Sequence, residues 1–201
     1  ADPSEGIGRD FSVAIVFDRD TGEQVAEFAD SEIKPDIFAL RLRDLGERFN
    51  WATIVCERNN YGHTVNTLLK LENYPRLWIE KKFGTVEKTQ TATYGYLTNL
   101  RTKPLAVGNF ARLYREGSLW VRSAALVDEM WNFRQTEDGM SAIDGCHDDR
   151  VMSASLASLA ILDMRGLVQS KPLPPRQPGK MPTFNEIGES IDRRKAFALD
   201  F

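Results

Sequence analysis

The sequence predicts an α/β domain built on a mixed sheet, and three observations carry that prediction. A compact apolar run rich in β-branched residues, Ser12–Phe17, comes first and is followed by Glu23–Ala29, which alternates in its middle. Stretches with apolar residues near a 3.6-residue spacing then alternate with short, continuously apolar runs. The long Ala-, Leu- and Met-rich segment Asp149–Met164 closes the regularly patterned part. With 201 residues, 42% hydrophobic and 27% charged, the chain suits one globular domain with an appended tail.

Ser12–Phe17 (SVAIVF) and Glu23–Ala29 (EQVAEFA) flank Thr21-Gly22 and read as a β-hairpin. From Asp36 to Phe49, Ile37, Leu40, Leu45 and Phe49 recur at helical spacing behind Pro35, which predicts an amphipathic helix with those four on its apolar face. Ala52–Cys56 (ATIVC) is short and wholly apolar, the pattern of a strand buried on both faces. His63 to Asn73 carries Val65, Leu68, Leu69 and Leu71 and predicts a second helix, closed by Asn73 and Pro75.

Leu77–Ile79 predicts a further strand, and the polar, Thr-rich Lys81–Tyr94 a protruding hairpin or loop. Pro104–Glu116 reads as helix and Ser118–Arg122 as extended chain. Ala124–Phe133 reads as helix with Leu126, Val127, Met130 and Trp131 on one face, and Arg134 to Cys146 as loop. Beyond Gly166, KPLPPRQPGKMP holds five prolines in twelve residues and excludes helix or central strand. Residues 1–165 therefore form the domain and 166–201 a Pro-rich linker and C-terminal tail.

The net charge of −3 hides a division. Residues 1–80 hold 15 acids and 9 bases, residues 81–122 hold 2 acids and 8 bases, and residues 123–201 hold 12 acids and 9 bases. A basic stretch between acidic ones is the footprint of a phosphate-backbone binder, although solvated charge produces the same run. No run of about 18 apolar residues occurs, so no membrane partner is expected. Cys56 and Cys146 form no CxxC pair and suit a reducing compartment. No GxSxG elbow and no GxxxxGK[ST] phosphate loop is present, and the two histidines are His63 and His147.

Three acidic positions stand at the ends of predicted elements: Asp2, Glu57 after the buried strand, and Asp148 and Asp149 opening the last helix. Singly, each has an ordinary explanation as a turn residue, a solvated acid or a helix cap. Together they would converge on one patch, and clustered carboxylates are tolerated mainly beside a divalent cation. Such a cluster suits phosphodiester hydrolysis, in which two metal ions assist attacking and leaving oxygens and no activated Ser or Cys is needed.

The segments Asp2-Pro3-Ser4-Glu5-Gly6-Ile7-Gly8-Arg9-Asp10-Phe11-Ser12, Glu57 with Asn59, Asn60 and Gly62, and His147-Asp148-Asp149 resemble the three acidic motifs of the C-terminal nuclease domain of tailed-bacteriophage terminase large subunits. Gly95-Tyr96-Leu97-Thr98-Asn99, followed by Lys103-Pro104, resembles the stretch between that family's second and third motifs.

The resemblance implies an RNase H-like fold, a mixed central sheet flanked by helices, and a nuclease that cuts concatemeric viral DNA. It implies Mg2+ or Mn2+ as cofactor, with two ions held by Asp2, Glu57 and Asp148 or Asp149; Asp10 is a secondary candidate. Lys81, Lys82, Lys88, Arg101 and Lys103 would hold the double-stranded DNA backbone, and Gly6 and Gly8 would let backbone approach the site. Further implied partners are the portal protein, the terminase small subunit and an upstream packaging ATPase, in the host bacterial cytoplasm. In the family the first Asp closes the central strand, so this chain, with one residue before Asp2, is expected to have that strand missing or truncated.

Overall fold

The computed structural model describes residues 1–80, 93–136 and 139–162. Strands β1 (Ser12–Phe17) and β2 (Gln24–Asp30) form the expected antiparallel hairpin, with Ser12 opposite Asp30 and Ile15 opposite Glu27. Asp18 organises its turn by accepting the N–H bonds of Asp20 and Thr21 at 2.9 Å.

Beside β1 lie Ala1 and Asp2, which take the position of a central strand. Asp2 exchanges both backbone hydrogen bonds with Val13, and on the other side Ala1 bonds the Val55 carbonyl and the Glu57 amide. The 54–57 segment then pairs in parallel with Leu77 and with Tyr96, and β3 (Ile79–Glu80) pairs antiparallel with β4 (Thr93–Tyr94). At the far edge, Trp120 pairs in parallel with Glu23. The sheet is thus mixed, joined partly by single bridges. Two residues beyond Val13 on β1, Ile15 donates its N–H to the Ser153 hydroxyl at 3.1 Å. A buried amide must be paired, and here a helix side chain does so.

Side chains alternate across this sheet and divide the core. Ala14, Ala26, Ile54 and Cys56 face α1 (Pro35–Arg48) and α2 (Tyr61–Leu71). Val13, Ile15 and Val55 face the opposite layer. That layer contains α3 (Thr102–Arg115), α4 (Ala124–Asn132) and α5 (Asp149–Leu162). Ser123 caps α4 by accepting the Leu126 N–H at 3.1 Å. Of the run Ala52–Cys56, Ile54, Val55 and Cys56 are buried, on alternate faces, while Ala52 and Thr53 are only partly buried.

Three expectations are corrected. In α1 the buried face is Phe38, Ala39, Leu42 and Leu45, while Ile37 and Leu40 are exposed. Two apolar sets overlap in that helix, and the one containing Phe38 wins because its ring stacks on Phe28 of the sheet at 5.9 Å. In α4 Trp131 points to solvent and Glu129 is buried instead. Residues 134–146 are not all loop: β5 (Phe133–Thr136) and β6 (Gly139–Ala142) form an antiparallel hairpin whose mostly polar composition carries no strand pattern. The Lys81–Tyr94 hairpin is described only at its base, and the tail 166–201 lies outside the described residues. Among the described residues no helix is long and apolar enough to cross a membrane.

Candidate metal centre

Strand register brings the first two acids together. Glu57 donates its N–H to Ala1 at 2.9 Å, so Asp2 and Glu57 end neighbouring parallel strands. Ala1 and Cys56 face α1 and α2, so alternation turns Asp2 and Glu57 to the other face, toward the start of α5. Asp149 is the first residue of α5. Its Oδ2 accepts the Phe11 N–H at 2.9 Å, which anchors the helix start to the loop entering β1.

The electrostatics match this convergence. Burial is the largest cause holding Asp2 well above the ordinary carboxylate range, followed by the charge of Glu57, a hydrogen bond between the two carboxyls, and the charge of Asp149. Burial also pushes Asp149 up to about 6, against the Phe11 hydrogen bond and with the charges of Asp10, Asp148 and Glu129. Carboxyls raised by one another's charge retain protons or take up a cation. An all-oxygen donor set of this kind fits a hard divalent ion such as Mg2+ or Mn2+.

Supporting contacts hold the carboxyls in place. Asn59 donates its Nδ2 to Glu57 Oε1 at 3.2 Å and to the Thr98 carbonyl at 2.5 Å. Asn66 donates to the Glu57 carbonyl at 3.0 Å. Gly62 is required by close approach, since a Cβ there would lie 2.0 Å from the Glu57 carbonyl oxygen. Glu129 caps α5 from α4 by accepting the N–H groups of Arg150 at 2.7 Å and Val151 at 3.2 Å. Arg150 also pairs with Glu129 and Glu27, both at 2.8 Å.

The adjacent acids at the start of α5, Asp148 just before it and Asp149 its first residue, take different surroundings. Asp148 pairs with Lys103 Nζ at 2.8 Å, whereas Asp149 enters the carboxyl cluster. Asp148 lies just before the helix, its carbonyl accepting the Met152 N–H at 2.9 Å, whereas Asp149 is its first helical residue, and this change of backbone conformation separates their side chains. Lys103 also lies over the Phe133 ring, 5.7 Å from its centroid. Arg101 is exposed in the turn before α3, and Lys81, Lys82 and Lys88 lie outside the described residues. Asp10 and His147 flank the centre: one donor atom from each, with one from Asp149, lie within 4.8 Å of one another. The close approach at Gly6 is to the Ile33 carbonyl rather than to the carboxyl cluster, and Gly8 meets nothing within 4 Å.

Sequence reasoning missed the brace from Asn59, the Phe11 amide and the Glu129 cap. Asn59 was signalled by its place two residues after Glu57; the other two contacts join segments more than twenty residues apart and leave no local pattern.

No protein-family model and no curated protein matches the chain. Among solved structures, it is similar to the large terminase nuclease of thermophilic phage G20c, at 24% identity and a TM-score of 0.59, over 78% of this chain and 77% of that one. The same nuclease with bound magnesium aligns at 24% identity and TM-score 0.59 over 75% of this chain and 74% of that one. Its cobalt-bound form aligns at 24% and 0.59 over 76% of each chain. The chain therefore has the mixed α/β, RNase H-like fold of the large terminase nuclease domain.

Proposed function

We propose that the chain is a divalent-metal-dependent endodeoxyribonuclease domain of a viral DNA-packaging terminase, cutting concatemeric double-stranded DNA by two-metal phosphodiester hydrolysis. The convergence of Asp2, Glu57 and Asp149 from three separate segments carries this reading. The fold supports it, and the similar G20c nuclease binds magnesium and cobalt.

Asp2, Glu57 and Asp149 would hold two Mg2+ or Mn2+ ions. Bound there, the ions supply positive charge that makes water nucleophilic at neutral pH and stabilises the leaving oxygen. The chain's own residues do the positioning. Asn59 orients Glu57, and the Phe11 amide orients Asp149. Lys103, beside Asp148 at the start of α5, places a cation where a phosphodiester approaches, and exposed Arg101 extends that charge along the backbone. Cys56 is no nucleophile: it is buried and its thiol is pushed up to about 12, chiefly by that burial. The reading places the domain with a portal protein, a terminase small subunit and a packaging ATPase in the host bacterial cytoplasm.

Plasmid cleavage in Mn2+, Mg2+ or EDTA tests the reading on the wild-type chain, Asp2→Asn and Glu57→Gln. Metal-dependent cutting by wild type, lost in both variants while DNA binding persists, is the expected result. A variant cutting at the wild-type rate overturns the assigned centre. Wild-type chain that binds DNA without cutting it points instead to a catalytically silent DNA- or portal-binding module. Preference for branched over linear duplex points to a junction resolvase.

A further inference from the structure

We propose that Ile7 is a wedge that enters the minor groove of the bound duplex and unstacks a base step near the scissile phosphate, with Arg9 on the adjoining backbone. The inference deepens the nuclease reading and rests on it for double-stranded DNA as the ligand.

Residues 5–11 form a closed loop between Asp2 and β1. Its base is fixed by the Ser4 N–H donating to the Ser12 hydroxyl at 3.0 Å, with the two hydroxyls 3.1 Å apart. Its middle is tied to the connection between β2 and α1. Gly8 donates its N–H to the Ser31 carbonyl at 2.8 Å, and Lys34 Nζ donates to the Gly6 carbonyl at 2.9 Å. Gly6, at φ +72°, sits so close that a Cβ would lie 2.3 Å from the Ile33 carbonyl oxygen. The exit is held by the Phe11 N–H on Asp149. A single exposed apolar residue is ordinary on a protein surface. Ile7 differs in being 49% exposed, beside exposed Arg9, at the tip of a loop tied at its base, middle and exit. A side chain held out in this way inserts with little further ordering.

The place of the tip decides what it meets. Asp10, three residues on, brings a carboxyl oxygen within 4.8 Å of one from Asp149. Three residues of extended chain span at most about 10 Å, and stacked bases are about 3.4 Å apart. A phosphodiester cut at the carboxyl cluster therefore has Ile7 within about four base pairs of the break. Gly6 and Gly8 carry no side chains, so the tip is one side chain wide, which suits a minor groove about 6 Å across. Apolar side chains enter that groove between base steps, and pyrimidine–purine steps yield most easily. Arg9 supplies a cation to the groove and its phosphates. Phosphate contacts from Lys103 and Arg101 carry no sequence information, so preference among cut sites comes from the step that Ile7 opens.

The test uses the whole chain and a duplex with 2-aminopurine in its TA steps, first in EDTA and then in Mn2+. In EDTA, fluorescence of the bound duplex is expected to rise severalfold as the step unstacks. Ile7→Ala should bind with that rise lost, and Ile7→Leu should retain it. Both variants should melt within about 2 °C of wild type, since the side chain is exposed. Arg9→Gln should keep the rise and lower the slope of log K against log salt by about one. In Mn2+, sequenced wild-type cut ends should be enriched in a TA or CA/TG step at one fixed spacing within about four base pairs of the break. Ile7→Ala ends should lose that enrichment. Equal fluorescence in wild type and Ile7→Ala, or no enrichment at wild-type cuts, overturns the inference and leaves the nuclease reading standing. Wild-type chain that opens the step without cutting in any metal overturns the nuclease reading and leaves the wedge, and chain that binds no duplex overturns both.

Discussion

Phe11 donates its backbone N–H to Asp149 Oδ2 at 2.9 Å, joining the entry of β1 to the start of α5 across 138 residues of sequence. A side-chain amide oxygen accepts the same bond, so Asp149→Asn keeps the tie while removing the charge. Without metal at pH 7, this variant should melt at or above the wild-type temperature. The Mn2+-induced rise in Tm should shrink, because a cation bound only to the folded state stabilises it less the more weakly it binds, and plasmid cleavage should fall below detection. Wild-type cleavage by Asp149→Asn would remove that residue from the centre.

The same carboxyl makes stability depend on pH in a defined direction. Burial raises Asp149 from 3.8 in the reference state to about 6 in the folded chain. The folded state then holds this proton more tightly than the unfolded one, so its contribution is complete below pH 3.8 and is lost as pH rises through about 6. Asp2 is raised as well and acts in the same direction. A bound cation reverses the penalty. The Tm difference between Mn2+ and EDTA should widen from pH 5 to pH 7, and a constant difference would count against proton–metal competition at these carboxyls.

Asn59 touches Glu57 and the Thr98 carbonyl, so it acts through Glu57's orientation. Removing such a supporting group costs about 10–100-fold in metal affinity or activity. Asn59→Ala should show that loss by calorimetry and cleavage, and Asn59→Asp, which adds a like charge beside Glu57, should not rescue it.

Lys103 and Asp148 form a partly exposed pair, 23% and 25% accessible, whose contribution to stability is about 1 kcal/mol or less. Lys103→Met should therefore leave the melting temperature nearly unchanged. DNA affinity should drop uniformly across sequences, and the slope of log K against log salt should fall by about one. An unaltered salt slope would show that Lys103 makes no phosphate contact.

Much of the local structure was legible in the sequence. The run Ser12–Phe17 forms β1 with the bounds its composition implied, and the Ala- and Leu-rich start at Asp149 opens α5. Such features survive because apolar period and turn residues act over a few positions. Legibility failed where two local patterns compete, as in α1, or where pairing supplies the structure, as in the polar β5–β6 hairpin. The distinction between Asp148 and Asp149 was likewise invisible, because it depends on Lys103 and Phe11 arriving from elsewhere.

By itself, the sequence determined the β1–β2 hairpin and the five helices in their order, the absence of a GxSxG or phosphate-loop motif, and the acids at the ends of three elements. Each is a property of residue type and short-range spacing. Only the tertiary structure decided that Asp2 and Glu57 are neighbours, that Asp149 rather than Asp148 joins them, and that Phe11 gathers Asp10 and His147 beside them. Those relations are set by strand register and by the seating of α5 on the sheet, contacts between segments dozens of residues apart that no local pattern encodes.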